Sequence, residues 1–194
     1  MSDKALRKRQ YIIEKAHDIF AKKGYRDVTM KDIVEACEIS RGGLYLYFSS
    51  TEELFLEVIK QEQDDKNQKS EKADLKSCTP GELLLFFLKE KKKEILSGSK
   101  GLVVAKCEYA FVCRGEKKNT PYKAEFEKEI MVLARILSKG NESGEFMCES
   151  PTQEAGHILF ALEGLKLCAN TMGISENRID RELVYIMKRF VIQD

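Results

Sequence analysis

The sequence predicts an all-α chain of about nine helices arranged as two domains. Three observations predict it. Apolar residues recur every three to four positions through most of the 194 residues. Only three prolines occur, and strand-like alternation is scarce. Helix-starting signals return at intervals: Thr29 with Asp32, Ser50 with Glu53, Thr79-Pro80-Gly81-Glu82, Ser150-Pro151 and Ser175. With 43% hydrophobic residues the chain has enough apolar material for a packed core.

The first helix is expected from about Lys4 to Lys23, with Ile12, Ile13, Ala16, Ile19 and Phe20 on one face and Gly24 as its stop. A second starts at the Thr29 cap and buries Met30, Ile33, Val34 and Cys37. After a short break at Glu38-Ile39, Ser40 caps a third. Ser50 opens a fourth, whose apolar stripe is Leu54, Phe55, Val58 and Ile59. Gln61 to Lys76 turns strongly polar, so it reads as the solvated end of that helix plus a linker, with the domain boundary there. A fifth helix begins at Pro80. Its run Leu83-Leu84-Leu85-Phe86-Phe87-Leu88 is apolar all round and is expected to be buried, followed by a solvated face over residues 89–94. Helices over 102–114 and 121–138, a loop at Asn141–Gly144, a long helix from Ser150 to about Met172 and a last one from Ser175 to about Ile192 complete the chain.

Charge and composition narrow the function. The net charge is +1, but residues 1–50 carry ten Lys/Arg against seven Asp/Glu, which suits a polyanionic partner for that end. No apolar run approaches the roughly 20 residues that span a bilayer. The N-terminus lacks the apolar segment of a secretion signal, so a cytoplasmic location is expected. The six cysteines form no C-x-x-C pair, and with two histidines they offer no metal-ligand spacing. No paired acid/histidine motif, nucleophile elbow or phosphate loop is present, so neither catalytic residues nor a cofactor are expected.

One stretch asks for a special explanation: Ser40-Arg41-Gly42-Gly43-Leu44-Tyr45-Leu46-Tyr47-Phe48. Glycine costs about 1 kcal/mol relative to alanine inside a helix, so two at the start of a short one need a reason. Close approach of the backbone to a surface supplies it, and the free N–H groups of a helix start suit an anion. At about 100° per residue, Leu44 and Phe48 share a core-facing side. Gly42, Gly43 and Leu46 lie opposite, with Arg41 and Tyr45 on one edge and Tyr47 on the other. Arginine can fork onto guanine O6 and N7, leucine can meet a thymine methyl, and tyrosine hydroxyls can reach phosphates.

The run from Thr29 to Phe48, followed by Ser49-Ser50-Thr51-Glu52-Glu53-Leu54 and preceded by Phe20-Ala21-Lys22-Lys23-Gly24-Tyr25, resembles the DNA-binding signature of TetR-family transcriptional regulators. The resemblance covers residues 6–66, with the motif at 29–48; residues 77–194 agree in helix count and order. It implies a helix-turn-helix DNA-binding domain followed by a helical effector-binding and dimerisation domain. The implied activity is that of a homodimeric repressor that binds a palindromic operator and is released by a small-molecule effector. By that analogy the DNA contacts are Thr29, Lys31, Ser40, Arg41, Gly42, Gly43, Tyr45, Leu46, Tyr47 and Thr51. The last departs from the family, which often has lysine there; the basic residues Lys4, Arg7, Lys8 and Arg9 are candidates to compensate.

For the second domain the expected effector contacts are the aromatic and soft side chains Phe87, Cys107, Phe111, Phe126, Met131 and Phe160. The resemblance implies a four-helix dimer interface from the last two helices, with Leu159, Leu162, Leu165, Leu183, Met187 and Phe190. His157 reads as an interior or interface residue. An alternative reading is a thiol-based redox sensor using Cys107 and Cys113, although their six-residue spacing places them about 120° apart on a helix. Another is a helix-turn-helix adaptor for protein rather than DNA.

Overall fold

The computed structural model describes residues 2–72, 77–97, 101–114 and 120–190. Within them lie nine helices: α1 (Asp3–Lys23), α2 (Met30–Cys37), α3 (Arg41–Tyr45), α4 (Thr51–Lys72), α5 (Pro80–Leu96), α6 (Val103–Val112), α7 (Pro121–Ser143), α8 (Pro151–Thr171) and α9 (Glu176–Lys188). The expected end of α9 at Ile192 lies outside the described residues.

Four of the caps read from the sequence do what their chemistry dictates, whereas Ser150 makes no side-chain cap hydrogen bond and the Glu53 carboxylate closes on Ser49 rather than on Ser50. Thr29 and Thr79 each form a reciprocal capping box, with Asp32 and Glu82 respectively, and Ser40 and Ser175 accept from the third residue of their helices. Two boundaries differ from expectation. Helix α7 runs five residues further than 138 and absorbs most of the expected loop at 141–144. The amide side chain of Asn141 donates to the Cys148 carbonyl at 2.6 Å and accepts from the Cys148 N–H at 2.9 Å, so the following chain folds back on a helix that continues to Gly144, whose φ of +77° stops it. The polar tract after Gln61 is helical as far as Lys72.

The chain forms two compact units that interleave in sequence: residues 1–72 with 99–121, and residues 73–98 with 122–194. This departs from the expected division at 77–194, because α6 belongs to the first unit. Leu102, Ala105, Tyr109 and Cys113 join Ile12, Phe20, Leu44, Phe48 and Phe55 in one core. Periodicity marks α6 as a helix, but does not say which core its apolar face enters.

The second unit packs α5, α7, α8 and α9 around Leu84, Leu88, Leu133, Leu137, Leu159 and Leu162. Only one stripe of the apolar run in α5 is buried. Leu84 and Leu88 are inside, while Leu85 stays 41% exposed. The stripe continues through Lys91, which is 3% exposed and so contradicts the solvated face expected over 89–94. Lys91 pairs with Glu94 at 2.9 Å and with Glu129 of α7. Burial works against its charge, but the two carboxylates outweigh that and hold its pKa above the ordinary lysine value. Lys166 of α8 joins the same network through Glu94 and Glu163. A buried ion network of this kind is costly to break by removing one member, because an uncompensated charge stays behind.

Candidate nucleic-acid interface

The first unit presents a helix, a tight turn and a second, very short helix. Helix α2 closes at Glu38, a non-glycine residue in the left-handed region with φ of 51°. That bend turns the chain straight into the Ser40 cap of α3, whose side chain accepts from the Gly43 N–H at 3.1 Å. Leu44 and Phe48 are 0% and 1% exposed and anchor this segment to the core. On its other side Arg41 and Gly42 are exposed, Tyr45 is 42% exposed and Leu46 is 83% exposed. Gly43 is half-buried, and so is Tyr47, which packs on the core. The Arg41 guanidinium lies over the Tyr45 ring at 5.6 Å, so the arginine is laid along the face rather than swinging freely.

The two glycines are not equivalent. Neither has a positive φ. A Cβ added at Gly42 would meet nothing within 4 Å, whereas one at Gly43 would come within 3.1 Å of the Ser40 hydroxyl. Nothing among the described residues therefore demands glycine at position 42.

Thr29 and Lys31 lie at the start of α2. The Thr29 hydroxyl is engaged with Asp32, donating at 2.6 Å and accepting from the Asp32 N–H at 3.4 Å. Lys31 is extended to solvent, 3.7 Å from Glu35. Lys23 of α1 reaches Asp32 at 2.6 Å. Hydrogen bonds from Lys23 and then Thr29 hold the Asp32 carboxyl far below the usual carboxylate range. A depressed native pKa stabilises the fold above the unfolded value of 3.8 and loses that contribution as pH falls further. Asp32→Asn is therefore expected to lower the melting temperature at pH 7 and to flatten its fall on acidification below about pH 5, read by thermal melts followed by circular dichroism.

Thr51 is half-buried at the first residue of α4. Its neighbours are acidic. Glu53 accepts from the Ser49 N–H at 2.7 Å and hydroxyl at 2.6 Å, while Glu52 accepts from the Tyr109 hydroxyl at 2.9 Å. The N-terminal basic residues are not a loose arm, since α1 is helical from Asp3. Arg9 bridges to Glu57 at 3.1 Å and lies 5.0 Å from the Phe48 ring centre, tying α1 to α4, and Arg7 pairs with Asp3 at 2.8 Å.

This geometry is found in known proteins. Residues 12–58 match the family described as bacterial regulatory proteins, tetR family, and residues 83–180 match the tetracyclin repressor-like C-terminal domain. The chain belongs to the TetR family. Proteins of this family are DNA-binding transcription regulators, not enzymes. The HTH-type transcriptional regulator YfiR of Bacillus subtilis is 33% identical over 142 residues, which is 72% of this TetR-family chain and 68% of that protein. QacR of Staphylococcus aureus is 35% identical over 76 residues, 39% of this chain and 40% of its own. Two crystal structures share the fold. A TetR-family regulator from Agrobacterium tumefaciens has a TM-score of 0.80 at 15% identity, over 96% of this chain and 98% of its own. One from Cytophaga hutchinsonii has a TM-score of 0.76 at 20% identity, covering 100% of both chains.

The expected effector residues of the TetR-family chain do not form one cluster. Cys107 and Phe111 belong to the first unit, where Phe111 is 61% exposed. In the second unit the Phe126 and Phe160 rings meet at 5.1 Å and Phe87 lies beside the Lys91 ammonium, but Met131 is exposed on the outer side of α7. A groove of about 680 Å³ is lined instead by α8 and α9, including His157, Ala161, Gly164, Cys168, Arg178 and Tyr185. None of the six expected residues lines it.

The dimer residues also need correction. Leu159, Leu162, Leu183 and Phe190 are buried within the subunit's own core, and Leu165 and Met187 are half-buried. The apolar positions left outside on α8 and α9 are Phe160, Leu167, Val184 and Tyr185. Two stripes alternate on each helix, and periodicity alone does not tell which faces inward. Among the described residues no group of three His, Cys, Asp or Glu is placed to hold a metal, and no helix is long and apolar enough to cross a membrane. Cys113 is buried in the first core and Cys107 is half-buried.

Proposed function

We propose that this chain is a cytoplasmic repressor that binds a palindromic operator as a homodimer and lets go when a small molecule enters its C-terminal unit. The observation that carries the DNA-reading assignment is the outward face of α3, where Arg41, Gly42, Tyr45 and Leu46 stand exposed on a segment nailed to the core by Leu44 and Phe48. An 83% exposed leucine on a five-residue helix is poor folding chemistry and good groove chemistry. Arg41 and Leu46 read bases. Ser40, Gly42, Gly43, Tyr45 and Tyr47 let the backbone and phenols dock, and Thr29, Lys31 and Thr51 stand along the phosphates. The DNA-binding domain is residues 6–66, and 77–194 supplies effector binding and dimerisation apart from α6.

The outer face of α8 and α9, with Ala161, Gly164, Leu167, Val184 and Tyr185, is the surface a second copy covers, since small residues admit a close helix approach. A Cβ at Gly156 or Gly164 would meet nothing within 4 Å among the described residues, which suits both to the approach of a partner helix. Phe87, Phe126 and Phe160 of the second unit line the effector site.

The test is a salt titration of duplex binding by the intact protein, followed by fluorescence anisotropy. Each phosphate contact contributes a slope of about −0.9 in log K against log salt, so an affinity that falls by orders of magnitude between about 50 and about 200 mM is expected. Duplex binding that ignores salt contradicts the proposal, and a protein that binds no duplex leaves the adaptor reading in its place.

A further inference from the structure

Helix α6 holds the first unit at two separate points, and both adjoin the helix-turn-helix. The Glu108 carboxylate accepts from the Tyr25 N–H at 2.7 Å and from the Arg26 N–H at 3.0 Å, in the turn between α1 and α2. The turn is shaped for it. Gly24 has φ of +81°, and a Cβ there would come within 2.4 Å of the same carboxylate oxygen. One residue on, Tyr109 reaches the other flank, where its hydroxyl donates to Glu52 in the first turn of α4, just after the recognition segment. Its ring completes an aromatic cluster with Tyr25 at 4.9 Å and Phe55 at 5.3 Å, and Phe20 meets Phe55 at 4.7 Å. Tyr109 is 4% exposed, and burial together with its bonds to Cys113 and Glu52 keeps the phenol protonated far above the usual pH.

The chain between these two flanks is the α2–turn–α3 segment that bears the DNA-reading face. A carboxylate on two backbone N–H groups is a strong, directional contact, and it fixes the backbone that launches α2. The phenol on Glu52 fixes the start of the helix that follows α3. We propose that Glu108 and Tyr109 are positioning residues for operator binding: from α6 they grip both flanks of the helix-turn-helix and set the pose of its recognition helix. This rests on the reading of α3 as the DNA-reading helix. It goes beyond that reading because it assigns part of the operator affinity to two side chains far along the sequence that touch no DNA.

The experiment uses the full-length protein and an operator selected from random duplexes with the wild type. Affinities for that operator and for an unrelated duplex of equal length are measured at one salt concentration, beside melting temperatures, for Glu108→Ala, Glu108→Gln and Tyr109→Phe. Glu108→Ala and Tyr109→Phe are expected to weaken operator binding about tenfold, the usual scale for losing a hydrogen bond to a charged group, with the unrelated duplex changed less than about twofold. Glu108→Gln keeps an acceptor oxygen for the two N–H groups and should recover most of the loss. A purely structural role would lower the melting temperature and both affinities together, and that result overturns the proposal. So does an unchanged ratio of operator to unrelated affinity in Glu108→Ala, or in Tyr109→Phe should the alanine variant fail to fold. A wild type with no preference for any duplex overturns instead the DNA-reading assignment of α3, and is told apart by occurring before any substitution.

Discussion

Gly42→Leu is expected to abolish operator binding while leaving the protein as stable as before or slightly more so. The position is exposed, has open space where a side chain would start and lacks a positive φ, so a larger residue is expected to be tolerated in the free protein. Glycine is the poorer helix former by about 1 kcal/mol, which sets the upper limit of the gain in stability. In the complex the same side chain stands between the α3 backbone and the groove. Overpacking costs about 1–3 kcal/mol per site. A two-fold symmetric dimer suffers it twice. Anisotropy titrations on the selected operator, run beside thermal melts, should show the two properties moving in opposite directions. That opposition separates an interface glycine from a folding glycine. A variant that binds as well as the wild type places Gly42 away from the DNA.

Arg41→Ala is the second large effect. The guanidinium is exposed, lies over Tyr45 and is bound by no carboxylate among the described residues, so its removal costs little in the free protein. Loss of a bidentate contact to guanine costs about 1–3 kcal/mol and relaxes preference at one base pair of each half-site. Repeating the duplex selection with the variant should return the same motif with one position degenerate. Replacement of Lys31, by contrast, is a loss of one phosphate contact and should weaken all sequences alike while reducing the salt slope by about one per half-site.

The two halves of the chain differ in how far their sequence revealed them. The helix-turn-helix was legible almost residue by residue because local chemistry dictates it. The capping box at Thr29, the Ser40 cap, the core pair Leu44 and Phe48, and the exposed side of α3 all follow from hydrogen-bonding side chains and helical angle. What escaped was non-local. Lys91 sits in a run of charges and reads as surface, yet it is buried because Glu129 of another helix waits for it. Glu108 and Tyr109 look like ordinary members of an amphipathic helix, and only the fold brings them to Tyr25, Arg26 and Glu52. The leucines of α8 and α9 obey the expected spacing, but each helix has two apolar stripes, and the choice between core and interface belongs to the packing of the whole unit. The effector residues failed to gather for the same reason: a cavity is a property of several helices at once, and periodicity describes one.

The central claim is that the face formed by residues 41–46 enters the major groove of DNA. Methylation interference on the selected operator tests it most directly, since dimethyl sulfate places a methyl group on guanine N7, where an Arg41 fork would dock. The expected result is interference at symmetric guanines whose half-site centres lie about 34–36 Å apart or a multiple of that, present for the wild type and absent for Arg41→Ala. Operator binding that no guanine N7 methylation disturbs, or a pattern identical for both proteins, would contradict it.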